Sequence, residues 1–307
     1  MSDGAPWELA VVGAGVVGVS AAYLAARSGA RVLLLDQAAV GAGATRWSAA
    51  LDVPWAPEPA KRALADESAA LWKAFSREAG VRLRRLPCFA VVEDGDRERV
   101  IAGFGGAARE ASQAALVYVT GYVEPGASAC VLALDRALRP PPVETTRRLA
   151  RAARRGGAEV WEGARVDALE ADGEGQALHL GDGRRVRARR VLVATGPWIG
   201  RGPGAEAARR HGVRVKTVAA LHVDARPRPG APAVLFPDDD AFLLPMPERG
   251  QWLFSFASQA WDPAPEGPHV IGPSDWGRAL EILSRRAPSL TGRVRGGRVF
   301  CDAFAPD

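Results

Sequence analysis

Apolar residues near the N-terminus fall into short unbroken runs, whereas further along they alternate or recur at helical spacing. Leu9-Ala10-Val11-Val12 is a run of the kind that a strand buried on both faces requires. It leads into Gly13-Ala14-Gly15-Val16-Val17-Gly18, and residues 19–28 then read as a helix closed by Gly29. A second apolar run, Arg31-Val32-Leu33-Leu34-Leu35, ends in Asp36. Residues 58–79 predict a long amphipathic helix, with Leu64, Leu71, Trp72, Ala74 and Phe75 in helical register and Gly80 as its stop. Residues 83–93 predict strands broken at Pro87-Cys88. Residues 94–113 predict a helical stretch interrupted by Gly103, Gly105 and Gly106.

Pro140-Pro141-Pro142 is the strongest punctuation in the chain. After it come a helix over 143–155, a strand over 157–161, a further strand over 164–169 and a hairpin turning at Gly181-Asp182-Gly183. Residues 186–190 alternate small or apolar residues with arginine and lead into a buried strand, Val191-Leu192-Val193, which ends at Ala194-Thr195-Gly196-Pro197-Trp198. Five β runs follow, at 213–217, 221–223, 233–236, 242–244 and 252–256. Prolines separate them, as does Asp238-Asp239-Asp240, which reads as a solvated turn.

The opening order is strand, glycine turn, helix, strand, acid, and each part has a mechanical reason. Gly13 permits the tight turn, Gly15 lets a pyrophosphate approach bare backbone, and Gly18 lets helix and strand touch. Val16 and Val17 stand at the helix start, where free N–H groups and a partial positive charge favour phosphate. Asp36, 18 residues after Gly18 and followed by Gln37, can accept both hydroxyls of an unphosphorylated ribose, which suits FAD or NAD rather than NADP. Residues 41–50 form a second small-residue segment, with Ala44, the hydroxyls of Thr45 and Ser48, and the cation of Arg46. It reads either as a flexible loop or as a second phosphate cradle passing beneath a large planar ring. NAD has no use for such a loop; a flavin does.

Composition removes several other functions. At 307 residues and 48% hydrophobic content, the chain can bury the core of two domains or one large one. The net charge of +5 comes from 37 arginines and three lysines scattered among 35 acids, with no basic block, so no nucleic-acid partner is expected. Cys88, Cys130 and Cys301 lack metal-ligand spacing and suit a reducing compartment, and no metal is expected. Residues 9–26 are the one candidate for a membrane span or signal peptide. They carry three glycines and Tyr23 behind an acidic flank, so neither is expected and the chain reads as cytoplasmic. His179, His211, His222 and His269 form no local catalytic motif.

On these motifs and their order, the sequence resembles the D-amino-acid oxidase, glycine oxidase and sarcosine oxidase family of FAD-dependent amine oxidoreductases over almost its whole length. The resemblance implies an α/β fold, with a Rossmann-like FAD-binding domain (1–85, 145–212 and 280–307) and a mixed β-sheet substrate domain (86–144 and 213–279). It implies that Val166 holds the adenine by backbone groups, and that Ala194-Thr195-Gly196, with Trp198, passes close to the cofactor. The implied reaction is oxidation of the C–N bond of an amine or amino-acid-like substrate by hydride transfer to flavin. Substrate-side candidates are Arg46, Trp55, Phe242 and Arg249. The alternatives are an NAD-dependent dehydrogenase and a non-catalytic FAD-binding subunit or relic.

Three departures accompany the resemblance. Residues 300–307 look like the segment that in the family precedes a final strand, a glycine-rich flavin loop and a helix. None of these follows, so an incomplete FAD site or a fragment is expected. The family's carboxylate-clamping arginine has no counterpart in Phe304-Ala305-Pro306, which argues against a simple α-amino-acid substrate. Leu253 and Phe254 stand where sarcosine oxidases carry a lysine. Cys301, near the cysteine those enzymes couple to flavin, reads first as a buried structural residue.

Overall fold

A computed structural model describes residues 5–53, 55–56, 58–267 and 269–306. Strand β1 (Trp7–Val12), helix α1 (Val16–Arg27) and strand β2 (Val32–Asp36) open the chain. Helix α2 (Pro59–Ala79) ends at Gly80, whose φ of 69° is the left-handed stop that glycine supplies. Next come β3 (Cys88–Glu93), α3 (Arg97–Gly103), β4 (Ala108–Ala111), α4 (Gln113–Thr120) and β5 (Ala129–Leu134). Helix α5 (Pro142–Arg155) precedes β6 (Glu159–Glu162), β7 (Val166–Asp172), β8 (Gly175–Leu180) and β9 (Arg185–Val193). Then follow α6 (Ala205–Arg210), β10 (Arg214–Val223), β11 (Ala233–Phe236), β12 (Ala241–Met246) and β13 (Gln251–Trp261). Helix α7 (Pro273–Arg286) and strand β14 (Val294–Phe304) complete the described elements.

The first sheet has the order β6-β2-β1-β9-β8-β7. Its first four strands are parallel, with Leu9 opposite Val32 and Val12 opposite Val193, and β7 to β9 form an antiparallel meander. Helices α1 and α5 cover one face, where Val11, Val19, Ala22, Leu34, Leu149 and Ala153 share a core. On the other face Ala10, Leu33 and Leu35 pack with Leu178, Val186 and Ala188. Burial on both faces explains why β1 and β2 are unbroken apolar runs rather than alternating ones.

The second sheet has the order β14-β10-β13-β12-β11-β3-β5-β4 and is mixed, with β11 and β3 as its parallel pair. Helices α4 and α7 cover one face through Leu116, Ala279, Ile282 and Leu283. The opposite face receives α3, through Val100 and Phe104, and the segment Ala49, Leu51, Val53 and Trp55, which runs in from the first sheet. That segment lies across the second sheet and leaves a cleft between the two. No helix among the described residues is long and apolar enough to cross a membrane.

Several sequence expectations are revised here. Residues 94–113 are not one helix: Gly105 and Gly106 take φ values of 54° and 76°, ending α3, and residues 108–111 become β4 by pairing with the open edge of β5. Tertiary pairing overrides the helical leaning of Ala-Arg-Glu-Ala. The runs at 213–217 and 221–223 join into β10, and 83–87 contribute only an isolated bridge at Arg85. Val191, Leu192 and Val193 are half-buried rather than buried, because the end of β9 opens onto the cleft. Residues 280–307 are grouped by resemblance with the FAD domain; of these, the described residues 280–306 lie with the second sheet. There β14 pairs with β10 along its length and α7 covers the core. The acid run is not wholly solvated either: Asp239 is buried between Arg285 and Arg286.

Candidate active site

Three glycines shape the turn between β1 and α1, for different reasons. Gly13 has φ 107°, donates its N–H to Leu35 O at 2.7 Å, and a Cβ there would lie 2.3 Å from Ala194 O. A Cβ on Gly18 would lie 1.9 Å from Gly13 O. Both are glycine because backbone is pressed against them. Gly15 differs. Its φ of −71° suits any residue, and a Cβ would meet only the Thr45 hydroxyl, at 3.2 Å. What a side chain at Gly15 would fill is the mouth of a cavity.

Asp36 ends β2 facing this turn. Its Oδ2 accepts the Ala14 N–H at 2.6 Å and its Oδ1 the Ala38 N–H at 2.8 Å. Burial pushes the carboxyl pKa up, and the two amides pull against it. A carboxylate has about four acceptor positions, so Asp36 can brace the turn and still accept ribose hydroxyls. Asp36→Asn is therefore expected to weaken FAD binding roughly 10- to 100-fold, the worth of a hydrogen bond to a charged group. Titration of apoprotein with FAD, followed by quenching of flavin fluorescence, measures it. An unchanged affinity would remove Asp36 from the site.

Residues Ala44–Trp47 form one tight helical turn beside the start of α1. Thr45 Oγ1 accepts the Val16 N–H at 3.0 Å and so ties the second small-residue segment to the first. Ala50, held at φ 55°, is a non-glycine residue in the left-handed region, and its N–H donates to Ser48 Oγ at 3.0 Å. Such strain costs on the order of 1–2 kcal/mol and gathers at functional sites. Across the cleft, Thr195 Oγ1 and Trp198 Nε1 are buried without a hydrogen-bond partner. A buried polar atom left unpaired is costly, and a ligand in the cleft would relieve that cost for both.

These residues line two cavities of 380 and 610 Å³ that share Gly15, Ala44, Thr45, Ala194, Thr195 and Gly196, making one elongated cleft. The smaller collects Gly13, Asp36, Gln37, Val166 and Trp198; the larger collects Val16, Val17, Ser48 and Phe242. Gly18 lies buried beneath the turn and reaches neither. A third cavity of 380 Å³ meets the larger one at Ser48, Ala49, Ala50 and Leu253. Arg46 and Arg249 line that third cavity and not the cofactor cleft, and the Arg46 guanidinium rests 4.4 Å from the centre of the Trp47 ring. Trp55 lines none of the three. It packs edge-on against Phe104, ring centres 4.9 Å apart, as a core side chain.

The geometry adds residues that sequence reading passed over. Ala220, Leu235, Phe300 and Asp302 line the large cavity, and Arg84, Arg139, His222 and Arg298 the third. Alternation along β10 and β14 could have marked one face of each as a wall, but not which cavity it faced. Cys301, 5% exposed, points elsewhere: its Sγ lies 3.1 Å from His269 Nε2, and it lines none of these cavities. Burial, together with Glu266 and Asp302, pushes its thiol pKa up. In this structure it is a packed residue.

A bare Gly15 at the cavity mouth, a ribose-type acid at the end of β2, and two unpartnered polar atoms across the cleft form a set that fits FAD. Comparison with solved structures agrees on the fold. A glycine oxidase from Geobacillus kaustophilus superposes with TM-score 0.77 at 19% identity, covering 98% of this chain and 84% of that one. An L-proline dehydrogenase from P. horikoshii gives 0.80 at 16%, covering 98% and 82%. The iminodiacetate oxidase IdaA from Chelativorans sp. BNC1 gives 0.75 at 19%, covering 97% and 84%. Comparison with curated protein sequences finds no match. The family profile described as FAD dependent oxidoreductase (DAO) matches residues 8–305, and the chain belongs to that family.

Proposed function

We propose that this chain oxidises the C–N bond of an amine or amino-acid-like substrate, with FAD held in the joined cleft. Asp36 and Gln37 would hold the ribose, Val166 the adenine, and Gly13, Gly15, Val16 and Val17 the pyrophosphate. Ala44, Thr45 and Ser48 on one side, with Thr195, Gly196 and Trp198 on the other, would hold the rest. When bound, FAD supplies the two-electron acceptor for hydride removal, and water then hydrolyses the imine product. The observation that carries this reading is the continuity of the cleft, from Asp36 to an apolar chamber beyond Ser48.

The chain's own contribution is to bind, orient and dry the substrate. Leu235, Phe242, Leu253 and Phe300 wall the chamber. Such a lining disfavours the ammonium form and favours the neutral amine, whose lone pair the oxidation needs. Asp302 is the acid on this wall among the described residues, and a carboxylate there attracts a cationic amine on approach. Oxidases and dehydrogenases both occur among the similar structures, and three of them are described as acting on glycine, L-proline and iminodiacetate. All three are amines bearing carboxylates, one primary and two secondary.

The test is direct. Purified protein is expected to be yellow or to become so with FAD, and its visible absorbance to bleach when an amine panel is added without oxygen. A preparation that takes no FAD, or a flavin that no amine reduces, overturns the reading.

A further inference from the structure

The third cavity is unlike the other two because it is cationic. Five arginines line it, Arg46, Arg84, Arg139, Arg249 and Arg298, against two acids, Glu144 and Glu248. Neither acid balances them. Glu144 is engaged by Arg148 at 2.8 Å and Arg82 at 3.6 Å, and Glu248 stands 3.9 Å from Arg139. Arg46, Arg84 and Arg249 form no ion pair with the described residues. On the β10 and β14 wall, His222 Nε2 and Arg298 Nε are buried without hydrogen-bond partners. Arg46, Arg84 and Arg249 stand exposed at its rim while Arg139 and Arg298 are half-buried, so the cavity gathers positive potential that water screens only in part, and the buried unpaired nitrogens add a cost. Burial, with the neighbouring cations, also pulls the pKa values of Arg139, Arg298 and His222 down. An unfavourable cluster of this kind is relieved by an anion.

From its placement beside the apolar chamber, with Ser48, Ala49, Ala50 and Leu253 as the common wall, we infer that the third cavity receives an oxyanion arm of the substrate. The substrate class is then an amine that carries a carboxylate or phosphate away from its reacting C–N bond. The inference rests on the amine-oxidation reading above. Planar guanidiniums arriving from separate segments suit oxyanions, which they bind by paired N–H donors.

The experiment uses holoprotein and two non-oxidisable probes, glutarate and inorganic phosphate, with binding followed by calorimetry. At least one probe is expected to bind, and which one identifies carboxylate or phosphate as the natural arm. Arg249→Gln and Arg84→Gln change exposed residues and report the cavity from two segments. Each is expected to raise the probe's Kd roughly 10- to 100-fold, the worth of a charge-assisted hydrogen bond. Arg249→Lys should restore part of it, and added salt should weaken the parent complex. Amines bearing the matching acid should show a lower KM than their neutral isosteres, with the advantage reduced in Arg249→Gln. If neither probe binds, or binding ignores both substitutions and salt, the inference is overturned. If a probe binds in this arginine-dependent way but no amine reduces the flavin, the cavity assignment stands and the amine reading fails.

Discussion

Gly18→Ala is expected to destabilise the cofactor sheet strongly and to abolish FAD binding. The added Cβ would sit 1.9 Å from Gly13 O and 3.2 Å from Val11 Cγ1. Neither neighbour can yield. Gly13 is pinned by its bond to Leu35 O at 2.7 Å, and its own Cα faces Ala194 O. Helix α1 would have to lift away, taking with it Val19, Ala22, Tyr23 and Ala26, all buried in the core over the sheet. Overpacking commonly costs about 1–3 kcal/mol, and a clash with pinned backbone belongs at or above the top of that range. For a domain of this size, about 3 kcal/mol lowers Tm by roughly 6–12 °C. Gly15→Ala is the contrasting case. Its backbone is ordinary and its nearest obstacle is a rotatable hydroxyl, so the variant should keep the apoprotein's Tm and far-UV circular dichroism while losing FAD. If the two variants lose stability to the same extent, the distinction between a packing glycine and a ligand glycine collapses.

Removing Arg286 is expected to cost on the order of 3 kcal/mol. It stands in the last turn of α7, 5% exposed, with Nε donating to Asp239 Oδ2 and Nη1 to Glu93 Oε1, both at 2.9 Å. One side chain thus ties a helix end to the turn after β11 and to the end of β3. Burial works against the guanidinium's charge, but Asp239 and Glu93 outweigh it and raise its pKa. Deleting one partner of a buried ion pair costs about 3–5 kcal/mol, because the other charge is left uncompensated. Asp239 keeps Arg285 at 2.6 Å, which places the loss at the lower end. Arg286→Met should lower Tm by roughly 6–12 °C. Adding Asp239→Asn should recover part of it, a coupling of about 0.5–3 kcal/mol. A Tm shift below about 2 °C in the single variant would show the network to be incidental. Because α7 covers the face of the second sheet away from the cleft, FAD content should not change.

The residues that gather at the Asp36 end of the cleft were largely legible in the sequence. Gly13, Gly15, Asp36 and Gln37 lie within one strand-turn-helix-strand unit, where spacing along the chain translates almost directly into spacing in the fold. Even so, spacing could not separate Gly18 from Gly15. One is crossed by backbone and the other faces open space, and only the folded contacts show which. The rest was less legible. Trp55 reads as a substrate-wall candidate on aromatic character alone, but that character serves a core equally well, and Phe104 claims it. Strand β4 was hidden for a different reason: Ala-Arg-Glu-Ala carries no β signal of its own and becomes a strand because β5 offers it an edge.

Local periodicity and glycine placement were enough to determine an α/β chain with a nucleotide-type turn, since those features depend on neighbours a few residues apart. The tertiary structure alone decided that β14 joins β10, that Cys301 faces His269 rather than the cleft, and that five arginines spread from position 46 to 298 converge on one cavity. Convergence over that distance is set by how two sheets are laid against each other. No run of adjacent residues encodes it, so it becomes visible only when the chain has closed.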